Sequence, residues 1–204
     1  MGIKDRKIRQ KERLRKKIIQ IAITMLLKDG YEKFSMRRLA DKIEYSPTTI
    51  YLYFKNKADL VFNVIEYAFS KFVERFEEID RQGNNDPYEN LRKGLRAYIK
   101  TALEYPQLYK IMLVIDYNFK KEECYVLQQG TMNERAFSFL QNTINECVKQ
   151  EKFTEEDIAM FSQIFWAAIH GLASLLITQP EFPWLPEDKL IDNLINTLMK
   201  TLEK

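Results

Sequence analysis

The sequence predicts an all-α protein, and three observations carry that expectation. Apolar residues recur at helical spacings of three and four rather than in strand-like alternation. Gly and Pro, six of each in 204 residues, fall between most apolar stretches rather than inside them. Good helix caps stand where those stretches begin.

The first helix carries Leu14, Ile18, Ile21, Ala22, Met25 and Leu26 as one apolar stripe. Gly30 sits where a C-cap belongs, so this helix is expected to end near Asp29. Ser35 caps a short second helix whose Leu39 and Ile43 point inward, and Ser46-Pro47 opens a third with a cap serine and a first-turn proline. A fourth opens at Asn56, where Asn56 and Asp59 imitate a capping box, and runs through Leu60, Val64, Tyr67, Ala68 and Phe72. The polar, turn-forming stretch from Arg81 to Pro87 is the clearest break in the chain. Beyond it, helices are expected at 87–104, 106–118, 122–150, 155–178 and 187–203, punctuated by Pro106, Pro180, Pro183 and Pro186.

Composition narrows the function classes. No unbroken run of about 18 apolar residues is present and the N-terminus is highly charged, so neither a membrane span nor a secretory signal is expected, and the expected location is the cytoplasm. Cys124 and Cys147 lack the CxxC spacing of a metal or redox site, and His170 is the one histidine. There is no Gly-rich phosphate loop, nucleophile motif or recognisable carboxylate pair, so no enzyme, catalytic residue, metal or cofactor is expected.

Charge is segregated. Residues 1–60 hold 16 Lys and Arg against 7 Asp and Glu, and the rest 16 against 22, so a head of +9 joins a body of −6 within a net charge of +3. A basic head suits a polyanion, because neutralising phosphates releases condensed counterions. The run Lys4 to Arg13 is expected to be a partly flexible arm touching a DNA backbone or minor groove. It lacks the Trp, Phe or Leu that would hold an amphipathic helix to lipid.

Two helices joined by a tight turn, the second rich in small polar and aromatic residues, fit a DNA major groove, and Ser35 to Phe54 has that form. If Ile50 and Phe54 anchor the third helix, Thr48 and Leu52 lie on its far side, flanked by Thr49 and Tyr51. Hydroxyls there can bond phosphates or base edges, and apolar carbons can touch thymine methyls.

The segments Phe34-Ser35-Met36-Arg37-Arg38-Leu39-Ala40 and Tyr45-Ser46-Pro47-Thr48-Thr49-Ile50-Tyr51-Leu52-Tyr53-Phe54-Lys55-Asn56-Lys57-Ala58-Asp59-Leu60 closely resemble the signature of TetR-family transcriptional regulators, over roughly residues 11–70. The resemblance implies an N-terminal helix-turn-helix DNA-binding domain and a C-terminal helical domain for effector binding and dimerisation. The divisions expected are a basic arm at 1–10, the helix-turn-helix at 11–56, a connecting helix at 57–80 and the effector and dimer domain at 81–204. It also implies that Ser46, Pro47, Thr48, Thr49, Tyr51 and Tyr53 lie at or near DNA, that Lys57 grips a phosphate and that Arg37 adds another contact. Two departures stand out: Glu44 in the turn and Thr48 on the third helix replace glycines common in the family. Glu44 is tolerable if its backbone is not left-handed, and Thr48 should alter which bases are read.

The 155–178 helix shows Ile158, Phe161, Phe165, Ala168, Leu172 and Leu175 at spacings of three and four, with small Ala167, Ala168 and Gly171. With Leu190, Leu194, Ile195, Leu198 and Leu202 of the last helix it offers a four-helix interface in a homodimer. Phe161, Ala168, Gly171, Leu172, Leu175, Leu194 and Leu198 are its expected contacts. Two recognition helices held about 34 to 36 Å apart would then read a palindromic operator. Tyr98, Tyr105, Tyr109, Met112, Phe137, Phe165, Trp166 and His170 are the candidate lining for a small hydrophobic effector that releases a repressor from that operator. The rival reading is a helical protein-interaction adaptor without DNA binding, against which the basic head argues.

Overall fold

A computed structural model describes residues 3–82, 86–114, 129–149 and 155–202. Its elements are α1 (Ile3–Lys33), α2 (Met36–Ile43), α3 (Pro47–Tyr51), α4 (Lys57–Arg81), α5 (Pro87–Glu104), α6 (Pro106–Val114), α7 (Met132–Val148), α8 (Glu155–Thr178) and α9 (Glu187–Lys200). Every regular element among the described residues is a helix, as the apolar spacing predicts.

The caps do what their residue types allow. Ser35 Oγ accepts from the Arg38 amide, Ser46 Oγ from the Thr49 amide and Asn56 Oδ1 from the Asp59 amide. The Asp59 carboxylate reaches back to the Lys55 amide at 2.7 Å, one residue beyond the donor a capping box uses. Asp86 Oδ1 accepts from the amides of Tyr88 and Glu89 at the start of α5, with Pro87 in its first turn.

Four expectations change. The segment expected to be a partly flexible arm is helical from Ile3, consistent with the strong helix propensity of its Lys, Arg, Gln and Glu residues. The helix is traced to Lys33, but Gly30, at φ 76° and ψ 169°, breaks its regular course one residue past the expected end. The helix expected at 122–150 begins only at Met132. Gly130 is left-handed at φ 86° and Thr131 caps α7 by accepting from the Glu134 amide, while residues 122–128 lie outside the described ones. Residues 115–118 of the expected sixth helix also lie outside them. Finally, α8 is apolar and long enough over Asp157–Thr178, at mean hydropathy 1.6, to cross a bilayer by length and composition. Ser162, Gln163, His170 and Ser174 interrupt the run without lowering its average far, which is why a search for unbroken apolar sequence passes over it.

The described chain divides into two compact units. The first contains α1, α2, α3, α4 as far as Ala68, and α6 from Gln107. Its core joins Ile18, Ala22 and Leu26 of α1 with Leu39 and Ile43 of α2, Ile50 of α3, Phe54 just beyond it, Leu60 and Val64 of α4, and Ile111 of α6. The second contains α4 from Phe69, α5, α7, α8 and α9. There α5 packs against α7, α8 and α9. Phe76 stacks on Phe139 at 4.5 Å between centroids, and Gly94 lets that ring close on α5, since a Cβ there would lie 2.6 Å from Phe139 Cε1. Arg96 and Lys100 of α5 pair with Asp188, which binds Lys100 at 2.8 Å, and with Asp192 and Glu187 of α9.

Glu44, C-cap of α2, is left-handed at φ 62° and ψ 42°, the condition under which a non-glycine residue is strained. Its turn is held all the same, with the Tyr45 amide donating to Ala40 O at 3.0 Å. Glu44→Gly is expected to stabilise the protein by about 0.5 to 1 kcal/mol, the relieved strain being partly offset by the looser unfolded chain. Thermal unfolding should show a rise of a few degrees; a fall would contradict the strain.

Candidate nucleic-acid interface

The α2–turn–α3 unit is built from behind. Ile50 is 0% and Phe54 1% exposed, seated in the first core, so α3 has one orientation available to it. Its other side carries Thr48, exposed, and Tyr51, 51% exposed. Leu52, 73% exposed, caps the C-terminus of α3. With Tyr45, also exposed, Tyr51 and Leu52 present large apolar surface to water at the tip of the unit, forgoing burial worth about 1.5 to 3 kcal/mol for a fully buried large side chain.

The remaining expected residues are placed unequally. Ser46 is exposed, but its Oγ already caps α3 and lies 2.9 Å from Thr49 Oγ1, so the two hydroxyls engage each other. Pro47 is half-buried, and Tyr53 packs partly against the first core. Arg37 is exposed at the front of α2, whereas neighbouring Arg38 pairs with Asp29 at 2.7 Å. The Lys57 ammonium sits 3.9 Å from the centroid of the Tyr31 ring. Burial lowers its pKa and the charge of Glu32 opposes that shift, so this cation is partly stripped of water where it stands.

Beside α3 runs a groove of about 1290 Å³. One wall is α1, with Lys7, Arg9, Lys11, Arg13, Lys16 and Lys17 and the single carboxylate of Glu12; the other is Tyr45, Leu52 and Tyr53. The Lys17 ammonium stands 5.8 Å from the Tyr45 ring centroid. Arg15 turns away, donating to Asn63 Oδ1 with its guanidinium 5.2 Å from the centroid of Phe54. Sequence reasoning ended the basic run at Arg13 and missed Lys16, Lys17 and Gln20. The signal was available, because positions 9, 13, 16 and 20 share one helical face, opposite the core-facing Ile18, Ala22 and Met25.

The eight residues expected to line an effector cavity are divided between the two units. In the second unit, Tyr98 Oη lies 3.0 Å from His170 Nδ1, the His170 ring 5.6 Å from Trp166 and Trp166 6.1 Å from Phe137. Phe165 is fully buried, with Phe161 edge-on at 6.5 Å. Tyr105, at the end of α5, bonds the adjacent Glu104 carboxylate, which raises the phenol pKa and lowers the carboxyl pKa. Tyr109 and Met112 fall in the first unit, where Met112 packs on the core beside Ile111. α6 adjoins α5 in sequence, but its Leu108, Ile111 and Met112 join the first core, whereas Tyr109 is fully buried without being part of it.

Burial holds the His170 imidazole below its ordinary pKa of 6.5. The unfolded chain therefore takes up a proton that the folded protein refuses. As pH falls through 6.5 toward the lower folded value, stability should be lost. His170→Gln is expected to flatten that acid-side decline in thermal unfolding; an equal decline in both proteins would refute it.

Among the expected dimer contacts, Leu175 is exposed, and Phe161, Ala168, Gly171, Leu172 and Leu194 are exposed or half-buried. Leu198, 6% exposed, belongs to its own unit's core and has little surface left to offer. The outward row of α8 is Met160, Ile164, Ala167 and Leu175, while Phe165, Ile169 and Ala173 face inward. The expected row mixed the two because α8 is apolar on both sides.

A family model described as bacterial regulatory proteins, tetR family, matches residues 18–64, and one described as tetracyclin repressor-like, C-terminal domain, matches 91–202. The fatty acid metabolism regulator protein of Bacillus subtilis strain 168 is 32% identical over 71 residues, 35% of this chain and 37% of that protein. The HTH-type transcriptional repressor KstR of Rhodococcus jostii RHA1 is 36% identical over 81 residues, 40% of this chain and 34% of that protein. The chain thus spans little more than a third of the length of either relative. The fatty acid degradation regulator FadR of Bacillus halodurans shares the fold, with a TM-score of 0.67 at 16% identity over 91% of this chain and 94% of that one.

Proposed function

This chain belongs to the TetR family of bacterial regulatory proteins, and from that premise we propose that it is a cytoplasmic, homodimeric transcriptional repressor that holds a palindromic operator and is released by a small hydrophobic effector. The observation that carries the reading is the exposed set Thr48, Tyr51 and Leu52, presented by the buried anchors Ile50 and Phe54 beside a groove with six cations. A rigid helix fixed from behind is what major-groove reading requires, and the cations supply the phosphate term. A protein-interaction adaptor has no use for that charge.

For the effector, the second unit offers the Tyr98, Phe137, Trp166 and His170 group, aromatic with a hydrogen-bonding pair at one end. The names of the Bacillus relatives favour fatty acyl compounds. Release is accounted for if the effector binds better to a form whose two DNA heads are wrongly spaced, α4 carrying the chain from one unit into the other.

The test is electrophoretic retardation of duplex fragments bearing palindromes from around the gene. Retardation weakened steeply by salt, and relieved by fatty acids or their thioesters, is expected. Failure to retard duplex DNA at low salt overturns the reading; retardation that no acyl compound relieves removes the effector class alone.

A further inference from the structure

We propose that Arg15, Asn63 and Asp59 are positioning residues for base recognition: without meeting DNA, they tie the exit of α3 to α1 and to the start of α4, and so hold α3 at the angle a major groove requires. The proposal rests on the DNA-binding function proposed above and adds to it residues that read no base and neutralise no phosphate. The observation is a continuous chain of hydrogen bonds. The Arg15 guanidinium of α1 donates to Asn63 Oδ1 of α4. Asn63 Nδ2 donates to the Asp59 carbonyl at 2.8 Å and to Asp59 Oδ1 at 3.0 Å. Asp59 Oδ2 accepts from the amide of Lys55, in the segment between α3 and α4, at 2.7 Å.

The length of α3 is what makes such a tie necessary. With 5 residues it is too short to persist by its own bonds, so its direction has to be imposed from outside. Ser46 fixes its entrance by bonding the Thr49 amide, and Ile50 and Phe54 fix its depth in the core. The exit is left, and the chain of bonds attaches there, at Lys55. Arg15 reaches the same place by a second route, its guanidinium 5.2 Å from the Phe54 ring centroid. Every link has an ion at one end, the guanidinium or the carboxylate, which makes it stronger than a bond between neutral groups, and the Asn63 amide is polarised between the two charges. Capping of α4 does not call for Arg15 or Asn63, since Asn56 Oδ1 already accepts from the Asp59 amide at 2.8 Å. A recognition surface needs a supporting shell that holds it to about 0.5 Å, and these bonds are that shell for the end of α3.

The test compares the unmodified full chain with N63A and R15M on a retarded palindromic fragment and on mixed-sequence duplex, by fluorescence anisotropy, with circular dichroism and thermal unfolding to check the fold. Both variants should lose about 10-fold in affinity for the palindrome and less than about twofold for mixed sequence, because α3 is misaligned while the phosphate contacts persist. In NMR hydrogen exchange on the free protein, the Lys55 amide should exchange at least about 10-fold faster in N63A than in the unmodified chain. A role confined to stability would instead lower the Tm and weaken binding to both duplexes alike. An unchanged ratio of palindrome to mixed-sequence affinity, or an unchanged Lys55 exchange rate, overturns the positioning role and leaves operator binding standing. If R15M makes the slope of log K against log salt shallower by about 1.8, Arg15 itself neutralises a phosphate in each half of the proposed homodimer, and the role is likewise overturned. If N63A does not fold, R15M decides alone, because Arg15 is exposed and methionine keeps helix propensity. If the unmodified protein binds no duplex, the positioning role falls together with the DNA-binding function.

Discussion

Tyr51→Ala is expected to weaken binding to a retarded palindromic fragment by about 10- to 100-fold while leaving binding to mixed-sequence duplex nearly unchanged, the signature of a missing base interaction worth about 1 to 3 kcal/mol. Lys57→Gln should behave differently, weakening binding to both duplexes alike and making the salt slope shallower by about 1.8, at about 0.9 for each of the two Lys57 residues of the proposed homodimer. The contrast arises from where the groups stand. Tyr51 projects from the exposed side of α3, 51% exposed, so its removal leaves no cavity and the Tm should hold. Lys57 stands at the first residue of α4, its ammonium over the Tyr31 ring and already partly desolvated, so it meets a phosphate with part of its dehydration complete. Fluorescence anisotropy on both duplexes, with thermal unfolding of both variants, decides the matter. Full affinity of Tyr51→Ala for the palindrome would remove α3 from base recognition; a sequence-selective loss in Lys57→Gln would remove Lys57 from the backbone.

The N-terminal unit was largely legible because its signals are local. Ser35 and Ser46 each bond an amide three residues on, and Ile50 and Phe54 are one turn apart, so caps and period place these elements without knowledge of the rest. Glu44 shows the limit. Nothing in its side chain announces a left-handed backbone; that conformation is imposed by the need to turn the chain between α2 and α3 within three residues. The C-terminal half was less legible for two physical reasons. Apolar residues mark burial without saying which core they enter, so Met112 is expected beside Tyr98 although it packs on the first core. A helix apolar on two faces gives no phase, so the expected row shares Leu175 with the outward row of α8 but otherwise takes neighbours of its exposed residues.

That outward row leads to the second large effect. Met160, Ile164 and Leu175 are each about half exposed, and only 22% of the apolar window of α8 is buried within its own chain, an arrangement that leaves a long apolar face to water unless something covers it. In the proposed homodimer the cover is the same face of a second chain. Ala167 is exposed at its middle, and a Cβ added at Gly171 would meet nothing within 4 Å, so one turn of the helix is open to close approach by another backbone. Ile164→Glu should therefore cost the isolated protomer little, because the new carboxylate stays in water, but burying it unpaired at an interface costs several kcal/mol. Sedimentation should show a monomer at concentrations where the unmodified protein is a dimer. Palindrome binding should collapse toward the level for mixed-sequence duplex, because two half-sites about 34 to 36 Å apart need two linked heads. Gly171→Ala gives an independent check: it improves helix propensity and its Cβ meets open space within the chain, so any loss of association comes from a second backbone it keeps away. A dimer that survives both changes has its interface elsewhere than the open face of α8.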